Sequence, residues 1–333
     1  MNWWPMMEIL GTPGVPWGAD ERLVWRSRTT VRRSYVDDVE RRMARLGDHY
    51  DIVPYGHIAS TSDGDAPFTL LAARTRSWSD DRPVVLVTGG VHGYETSGVI
   101  GALTFLEEHC ESPADDVDVI VVPCVSPWAY ERIQRWNANA DDPNRSFVAN
   151  TRVPEAAALM ALVAPFAHRV VLHIDLHETT DTDETEFRPA LAARDGHILE
   201  PGTIPDGFYL CGDTEAPQLD FQAAVIAAVA DVTHIAAADA NNEIIETPVA
   251  APGVILYPMR SLGLAGAITD APYRTLTEVY PDSVRATPTE CVAAQVAAVR
   301  AAMAFALGSL RSPQDAISAT RIDGRRGQGG RRT

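Results

Sequence analysis

Two apolar runs constrain the fold of this chain most: Pro83-Val84-Val85-Leu86-Val87-Thr88 and Val170-Val171-Leu172-His173-Ile174-Asp175-Leu176. Strands with so little polar alternation are covered on both faces, the habit of a sheet held between helices. Further strand-like runs lie at Asp51–Tyr55, Phe68–Arg74, Val117–Pro123, Gly207–Leu210, Gly253–Tyr257 and Thr275–Tyr280. Helix-like runs at Glu95–His109, Pro154–Phe166, Gln218–Ala230 and Thr289–Leu307 separate several of them. The expected fold class is α/β: a three-layer α/β/α sandwich around a mixed, mostly parallel sheet of about eight strands. Residues 1–48 read as an N-terminal extension with one charged helix between Ala19 and Leu46, and 49–310 as the main domain. The tail, 311–333, holds six arginines against two aspartates and few apolar residues, and reads as disordered.

Composition removes whole classes of function. The 333 residues carry a formal net charge of -17, so nucleic acid is not an expected partner. All 28 basic residues are arginine. Without lysine there is no Schiff base, no pyridoxal-phosphate attachment and no phosphate-loop lysine. Cys110, Cys124, Cys211 and Cys291 are widely spaced and lack a CxxC pair, which suits reduced, mostly buried thiols. The N-terminus has no basic region followed by a long apolar run. No stretch approaches the roughly 18 uncharged apolar residues of a membrane span. The expectation is a cytoplasmic protein with no membrane partner.

The first strand run hands over to a helix through Gly89-Gly90-Val91-His92-Gly93-Tyr94-Glu95-Thr96, and the second ends in His177. His92 and Glu95, three residues apart on one turn, can both face one metal ion. If the two strands are neighbours, His177 projects from the same end of the sheet, where open α/β sheets place their sites. Two imidazoles and a carboxylate make a three-ligand zinc site with a fourth position left for water. Thr275-Leu276-Thr277-Glu278-Val279-Tyr280 adds one carboxylate inside an apolar strand. Such a group is costly unless partnered, and beside a metal-activated water it can accept and return a proton.

The ordered set His92/Glu95, Asp142-Pro143-Asn144-Arg145, His177 and Glu278 resembles the zinc carboxypeptidase A-type superfamily, including its succinylglutamate desuccinylase and aspartoacylase branch. The resemblance covers roughly residues 50–307. It implies one zinc per chain on His92, Glu95 and His177, and Glu278 as the base that activates a zinc-bound water. It implies that Asn144 and Arg145 grip the free carboxylate of a small-molecule or peptide substrate. Arg135 is implied as oxyanion donor, a role whose loss costs about 10²–10³ in rate. Asp142 is implied to hold the outer nitrogen of a zinc-bound histidine. The implied activity is that of a metallocarboxypeptidase. The alternatives are an N-acyl amino acid deacylase, which the 82 residues from Glu95 to His177 resemble more, and a catalytically silent zinc-binding member.

Tyr94 stands near the place where digestive carboxypeptidases carry an arginine, and Tyr257 and Tyr273 are the candidates for a substrate-capping tyrosine. The acidic run Glu178, Asp181, Asp183, Glu184 and Glu186 reads as a solvated loop, with a second metal or basic-substrate selection as its alternatives. His173 reads as a core histidine rather than a ligand. Asp175 either orients His177 or ends the strand. Trp128 and Trp136 read as core, with a pocket wall as the alternative.

Overall fold

Valine is the commonest buried apolar residue among the described residues, because a side chain branched at Cβ suits the pleated, covered surface of a sheet. The computed structural model of the chain describes residues 10–59, 66–109 and 116–310. The arginine-rich tail and Cys110 lie outside the described residues. Ten strands form one sheet: β1 (Tyr50–Ile58), β2 (Phe68–Thr75), β3 (Val84–Gly89), β4 (Asp118–Val122), β5 (Val170–Glu178), β6 (Tyr209–Asp213), β7 (Glu243–Ile244), β8 (Thr247–Ala251), β9 (Val254–Tyr257) and β10 (Tyr273–Val279). Their order is β1-β2-β4-β3-β5-β10-β6-β9-β8-β7. The four central strands β4, β3, β5 and β10 run parallel, and β1 and β2 pair antiparallel beside them. The mixed α/β sheet is thus the observed fold, with ten strands against about eight indicated by sequence. The uncounted pair is the β7–β8 hairpin: β7 has two residues, and β8 alternates half-buried with exposed positions and contains Pro248, so no apolar run marks it.

The helices are α1 (Ala19–Arg28), α2 (Arg41–Arg45), α3 (Thr96–His109), α4 (Pro127–Arg132), α5 (Pro154–Val163), α6 (Arg188–Asp195), α7 (Leu219–Ala230), α8 (Met259–Leu262) and α9 (Pro288–Leu310). On one face Leu103 of α3, Val225 of α7 and Val299 of α9 pack with Val85, Val87, Leu172 and Ile174. On the other, Ala156, Leu159 and Val163 of α5 pack with Val84, Leu86 and Ile120. Each large apolar side chain buried in these layers contributes about 1.5–3 kcal/mol. Helix α9 is long and apolar enough to cross a membrane by length and composition, although Glu290 and Arg300 keep it short of the uncharged run sought in the sequence. Here it is a core helix, with Ala294, Ala298, Val299 and Ala302 fully buried.

The charged helix read between Ala19 and Leu46 is broken. Helix α1 stops at Arg28, before Thr29-Thr30-Val31, three residues branched at Cβ that crowd a helical turn. Helical structure resumes after Ser34, whose Oγ accepts from the Asp37 N–H at 3.1 Å. Tyr35, Val39 and Met43 beyond the break are buried in the main core.

Along β5, Leu172, Ile174 and Leu176 face the α3 and α9 layer, so the two-residue period sends His173, Asp175 and His177 to the opposite face. Strand β10 pairs with β5 in parallel register, Glu278 beside His177. Thr277 turns the other way, donating to Gln295 of α9 at 2.6 Å. The backbone ladder therefore sets a histidine and a glutamate side by side on one face of the sheet.

Candidate metal centre

The turn after β3 depends on two glycines. Gly90 has φ +60°, and a Cβ there would lie 2.7 Å from Val99 Cγ2. A Cβ on Gly93 would lie 2.1 Å from both the Ala129 carbonyl carbon and the Tyr130 nitrogen, so only glycine lets the turn press against α4. This turn carries His92 and Glu95 to the end of β5. All three of His92, Glu95 and His177 are buried, and their ligand atoms lie within 4.8 Å of one another.

Each imidazole stands between two carboxylates. His92 Nδ1 is 2.7 Å from Glu95 Oε1 and its Nε2 is 3.0 Å from Asp142 Oδ1. His177 Nδ1 is 2.8 Å from Glu95 Oε2 and its Nε2 is 2.6 Å from Asp175 Oδ2. A neutral imidazole has one N–H, so in each ring one nitrogen lone pair faces a carboxylate oxygen. A cation between the two Nδ1 atoms and Glu95 removes that repulsion and leaves each Nε2–H to donate outward. Glu95 Oε2 adds to the case: it is buried and has no hydrogen bond, its contact with His177 Nδ1 lacking the alignment one requires. The three residues fit a divalent cation.

Without a cation the same carboxylates draw positive charge onto His177 instead. Burial raises the Glu95 carboxyl, but the His177 and His92 imidazoles override it and hold it at about 2. Burial likewise disfavours charge on His177, and Glu95 and Asp175 override it and raise its pKa. Asp142 is held well below the carboxylate range because Arg135 and His92 outweigh its burial. Burial pushes Glu278 up to about 7, against the lowering influence of His177.

Behind His177 runs a chain of contacts. Thr88 Oγ1 donates to Asp175 Oδ1 at 2.6 Å and lies 3.0 Å from His173 Nε2. His173 is fully buried and burial lowers its pKa to about 4, so it stands as a neutral core residue outside the ligand cluster. Behind His92, Asp142 Oδ1 also accepts from Asn144 N at 2.9 Å, and Asp142 Oδ2 from Arg135 Nε at 3.1 Å.

A cavity of about 620 Å³ opens in front of the cluster. Arg135, Asn144, Arg145 and Glu278 all line it. Arg135 Nη1 reaches Tyr94 Oη and Asp183 Oδ1, each at 3.3 Å. Glu278 Oε2 accepts from Thr179 Oγ1 at 2.8 Å, and Thr179 Oγ1 lies 2.7 Å from Tyr209 Oη. Asn144 Oδ1 is occupied by the Ala265 N–H at 2.8 Å, which ties its amide to the scaffold. Arg145 donates to the Asn144 carbonyl at 2.7 Å. Among the described residues it makes no ion pair, whereas Arg135, Arg188 and Arg194, the other arginines of the lining, all do.

Several wall residues escape a reading of the sequence. Glu178 belongs to β5 rather than to a solvated loop. Its oxygens accept from Thr96 N at 3.0 Å and Ser97 N at 2.6 Å, closing the N-terminus of α3. The period of β5 carries the signal, since Glu178 continues the Leu172, Ile174, Leu176 face. Asp183 is buried too, accepting from Tyr94 Oη at 2.8 Å. Of the acidic run, Asp181 and Glu186 are exposed. Helix α6 and the β7–β8 turn form the outer wall through Leu191, Ile245 and Glu246. Ile245 and Glu246 have φ +47° and +56°, and Arg188 of α6 ties that turn in place through Glu246 Oε2 at 3.0 Å. Tyr257 lines the cavity, while Tyr273 packs in the core against Phe221 and Phe305. Trp128 and Trp136 are both buried in satellite clusters away from the lining.

Residues 81–200 match the family model of the succinylglutamate desuccinylase/aspartoacylase catalytic domain, a span that holds His92, Glu95, Arg135, Asp142, Asn144, Arg145, Asp175 and His177 but not Glu278. No curated protein matches the chain. Among solved structures it is similar to a protein described as a metallopeptidase from Shewanella denitrificans, with TM-score 0.59 and 20% identity over 82% of this chain and 89% of that one. It is also similar to a metallo-carboxypeptidase from Pseudomonas aeruginosa in complex with (2-guanidinoethylmercapto)succinic acid, with TM-score 0.54 and 16% identity over 82% and 68%. For the carboxypeptidase A of Helicoverpa armigera the values are 0.56 and 14%, over 88% and 80%.

Proposed function

We propose that this chain, which has the fold of the zinc carboxypeptidase-like superfamily, is a zinc-dependent metallocarboxypeptidase that hydrolyses an amide bond next to a free carboxylate. The observation that carries the reading is the β5–β10 register, which sets Glu278 beside a member of the His92, Glu95, His177 cluster. Two imidazoles and one carboxylate are donors that zinc takes, and one ion per chain is expected. Zinc held there supplies a Lewis acid for the substrate carbonyl and lowers the pKa of a water toward about 7.

The protein's own groups do the rest. Glu278, oriented through Oε2 by Thr179, accepts a proton from the attacking water and delivers it to the departing amide nitrogen. Arg145, free of carboxylate partners among the described residues, binds the substrate carboxylate through its planar fork. Arg135 has Nε on Asp142 and Nη1 on Tyr94 and Asp183, and Nη2 serves as donor to the developing oxyanion. Asp142 holds His92 at Nε2, and Asn144, fixed through Oδ1 by the Ala265 N–H, keeps its amide NH₂ to join Arg145 on the substrate carboxylate.

A second reading keeps these roles and changes the substrate to an N-acyl amino acid. The match of residues 81–200 to the desuccinylase/aspartoacylase domain favours it. The test is mass spectrometry of products after zinc-loaded protein meets mixed peptides and N-acyl amino acids, with Glu278→Gln as the blank. Loss of single C-terminal residues establishes the carboxypeptidase. Free amino acid released only from the acylated set establishes the deacylase. One bound zinc with no product from either set refutes hydrolysis and leaves a zinc-binding protein.

A further inference from the structure

Residues ahead of the sheet reach into the construction of the metal centre through one side chain. Arg33 lies in the segment between α1 and the helical turn at Val36, half-buried against α4. Its guanidinium carbon lies over the Tyr130 ring, 3.6 Å from the centroid. Nε donates to the Tyr130 carbonyl at 2.7 Å, Nη1 to Thr96 Oγ1 at 2.7 Å, and Nη2 to the Gly93 carbonyl. Gly93 follows one ligand of the cluster and Thr96 follows another. The guanidinium therefore grips the His92–Glu95 turn on both sides and fastens it to the C-terminal half of α4.

Other contacts make that grip rigid. The Arg32 and Arg33 N–H groups both donate to the Glu131 carbonyl, at 2.7 and 3.3 Å, and Tyr35 N donates to Glu131 Oε1 at 3.1 Å. The Tyr94 N–H donates to the Gln134 carbonyl at 3.0 Å. Gly93 is pressed so closely on Ala129 and Tyr130 that the turn has no room to slide inward. Outward movement is what Arg33 opposes. We infer that Arg33 is a positioning residue for the metal centre, setting the distance between the His92–Glu95 turn and His177 without touching any ligand atom.

A planar fork with separate donors suits this task, and an ammonium on a flexible stem does not reproduce it. Groups that orient ligands at one remove typically contribute 10–100-fold to metal affinity. Arg33 acts on Gly93 and Thr96, the chain neighbours of two ligands, so the expected loss is at the lower end of that range, about tenfold.

The inference rests on the zinc reading, and the experiment separates the two. Full-length wild type, Arg33→Met, Arg33→Lys and Arg22→Ala are stripped of metal, and zinc affinity is measured by competition with a chromophoric chelator. Arg22 lies on α1, just ahead of that segment, and among the described residues its side chain holds Asn139 and Asp141 rather than the ligand turn, so it reports general loosening. The expected result is about tenfold weaker zinc binding for Arg33→Met, an intermediate value for Arg33→Lys and wild-type affinity for Arg22→Ala. Cobalt-loaded protein should show a changed visible absorption band in Arg33→Met and an unchanged one in Arg22→Ala. Wild-type affinity in Arg33→Met, or an equal loss in Arg22→Ala, overturns the inference. If Arg33→Met does not fold, the same comparison is decided on Arg33→Lys. A wild type that binds no zinc overturns the zinc reading itself.

Discussion

Replacing Asp175 by asparagine tests the metal centre at its most constrained point. The residue is fully buried, with Oδ1 on Thr88 and Oδ2 on His177 Nε2 at 2.6 Å. In Asp175→Asn the Thr88 hydroxyl still donates to the side-chain oxygen, so the amide NH₂ takes the place of Oδ2 and faces His177 Nε2. A donor there requires Nε2 to accept, and the single ring proton moves to Nδ1. That is the nitrogen turned toward Glu95, and once protonated it cannot ligate. The amide can flip instead, but then Thr88 accepts from the NH₂ and its own proton loses the Asp175 oxygen, and a buried donor left without that acceptor costs about 1–3 kcal/mol. The same size follows from the 10–100-fold that outer partners contribute to metal affinity, about 1.4–2.8 kcal/mol. Zinc affinity by chelator competition should therefore fall 10–100-fold, with secondary structure by circular dichroism unchanged. Folded Asp175→Asn that binds zinc as tightly as wild type would refute the tautomer argument.

Arg145→Ala should reduce kcat/KM by roughly 10- to 150-fold, the equivalent of a charge-assisted hydrogen bond worth about 1.5–3 kcal/mol. Substrates whose carboxylate is blocked as an amide should be affected far less, and equal losses on both would place carboxylate recognition elsewhere. Gly93→Ala inserts a Cβ 2.1 Å from backbone atoms of α4. It should destabilise the protein by about 1–3 kcal/mol or more in denaturant unfolding and weaken zinc binding, and a neutral effect on both would mean the turn can give way. Glu278 must be ionised to act as a base, so kcat/KM falls as pH drops through its pKa. Burial sets that value near 7 in the metal-free chain, and a bound cation draws it lower. Thr179→Val removes a hydrogen bond to the ionised form and should move the acid limb to higher pH. A limb that stays put or moves down would show that Glu278 is not the group being titrated.

Much of the site is legible in the chain because it is carried by strands. The apolar runs that become β3 and β5 mark burial on both faces, and His92, Glu95 and His177 follow from where those runs end. Glu278 stands out as a carboxylate in an apolar strand. The side of β5 that Asp175 takes follows from its two-residue period, but Thr88 as its partner depends on the alignment of β3 with β5. The outer wall is less legible for a different reason. Helix α6 has no buried residue and the β7–β8 turn has two non-glycine residues at positive φ, so neither apolar periodicity nor turn chemistry announces them. Arg33 is hidden in another way: its acceptors are two carbonyls and a hydroxyl, and carbonyl positions are a property of the folded backbone.

The outer wall also bears on how this protein can change. The ladder between β5 and β10 fixes the distance from His177 to Glu278 through backbone bonds, whatever side chains surround it. Leu191, Ile245 and Glu246 line the same cavity from a surface helix and a hairpin tip, tied together by the partly exposed Arg188–Glu246 ion pair. Insertions, deletions or exchanges in those two pieces leave the strand pairing intact. On the proposed function, what enters the cavity can therefore change many times over while the His177–Glu278 geometry stays the same, and a designer seeking a new substrate should begin at Arg188 and Glu246 rather than at the sheet.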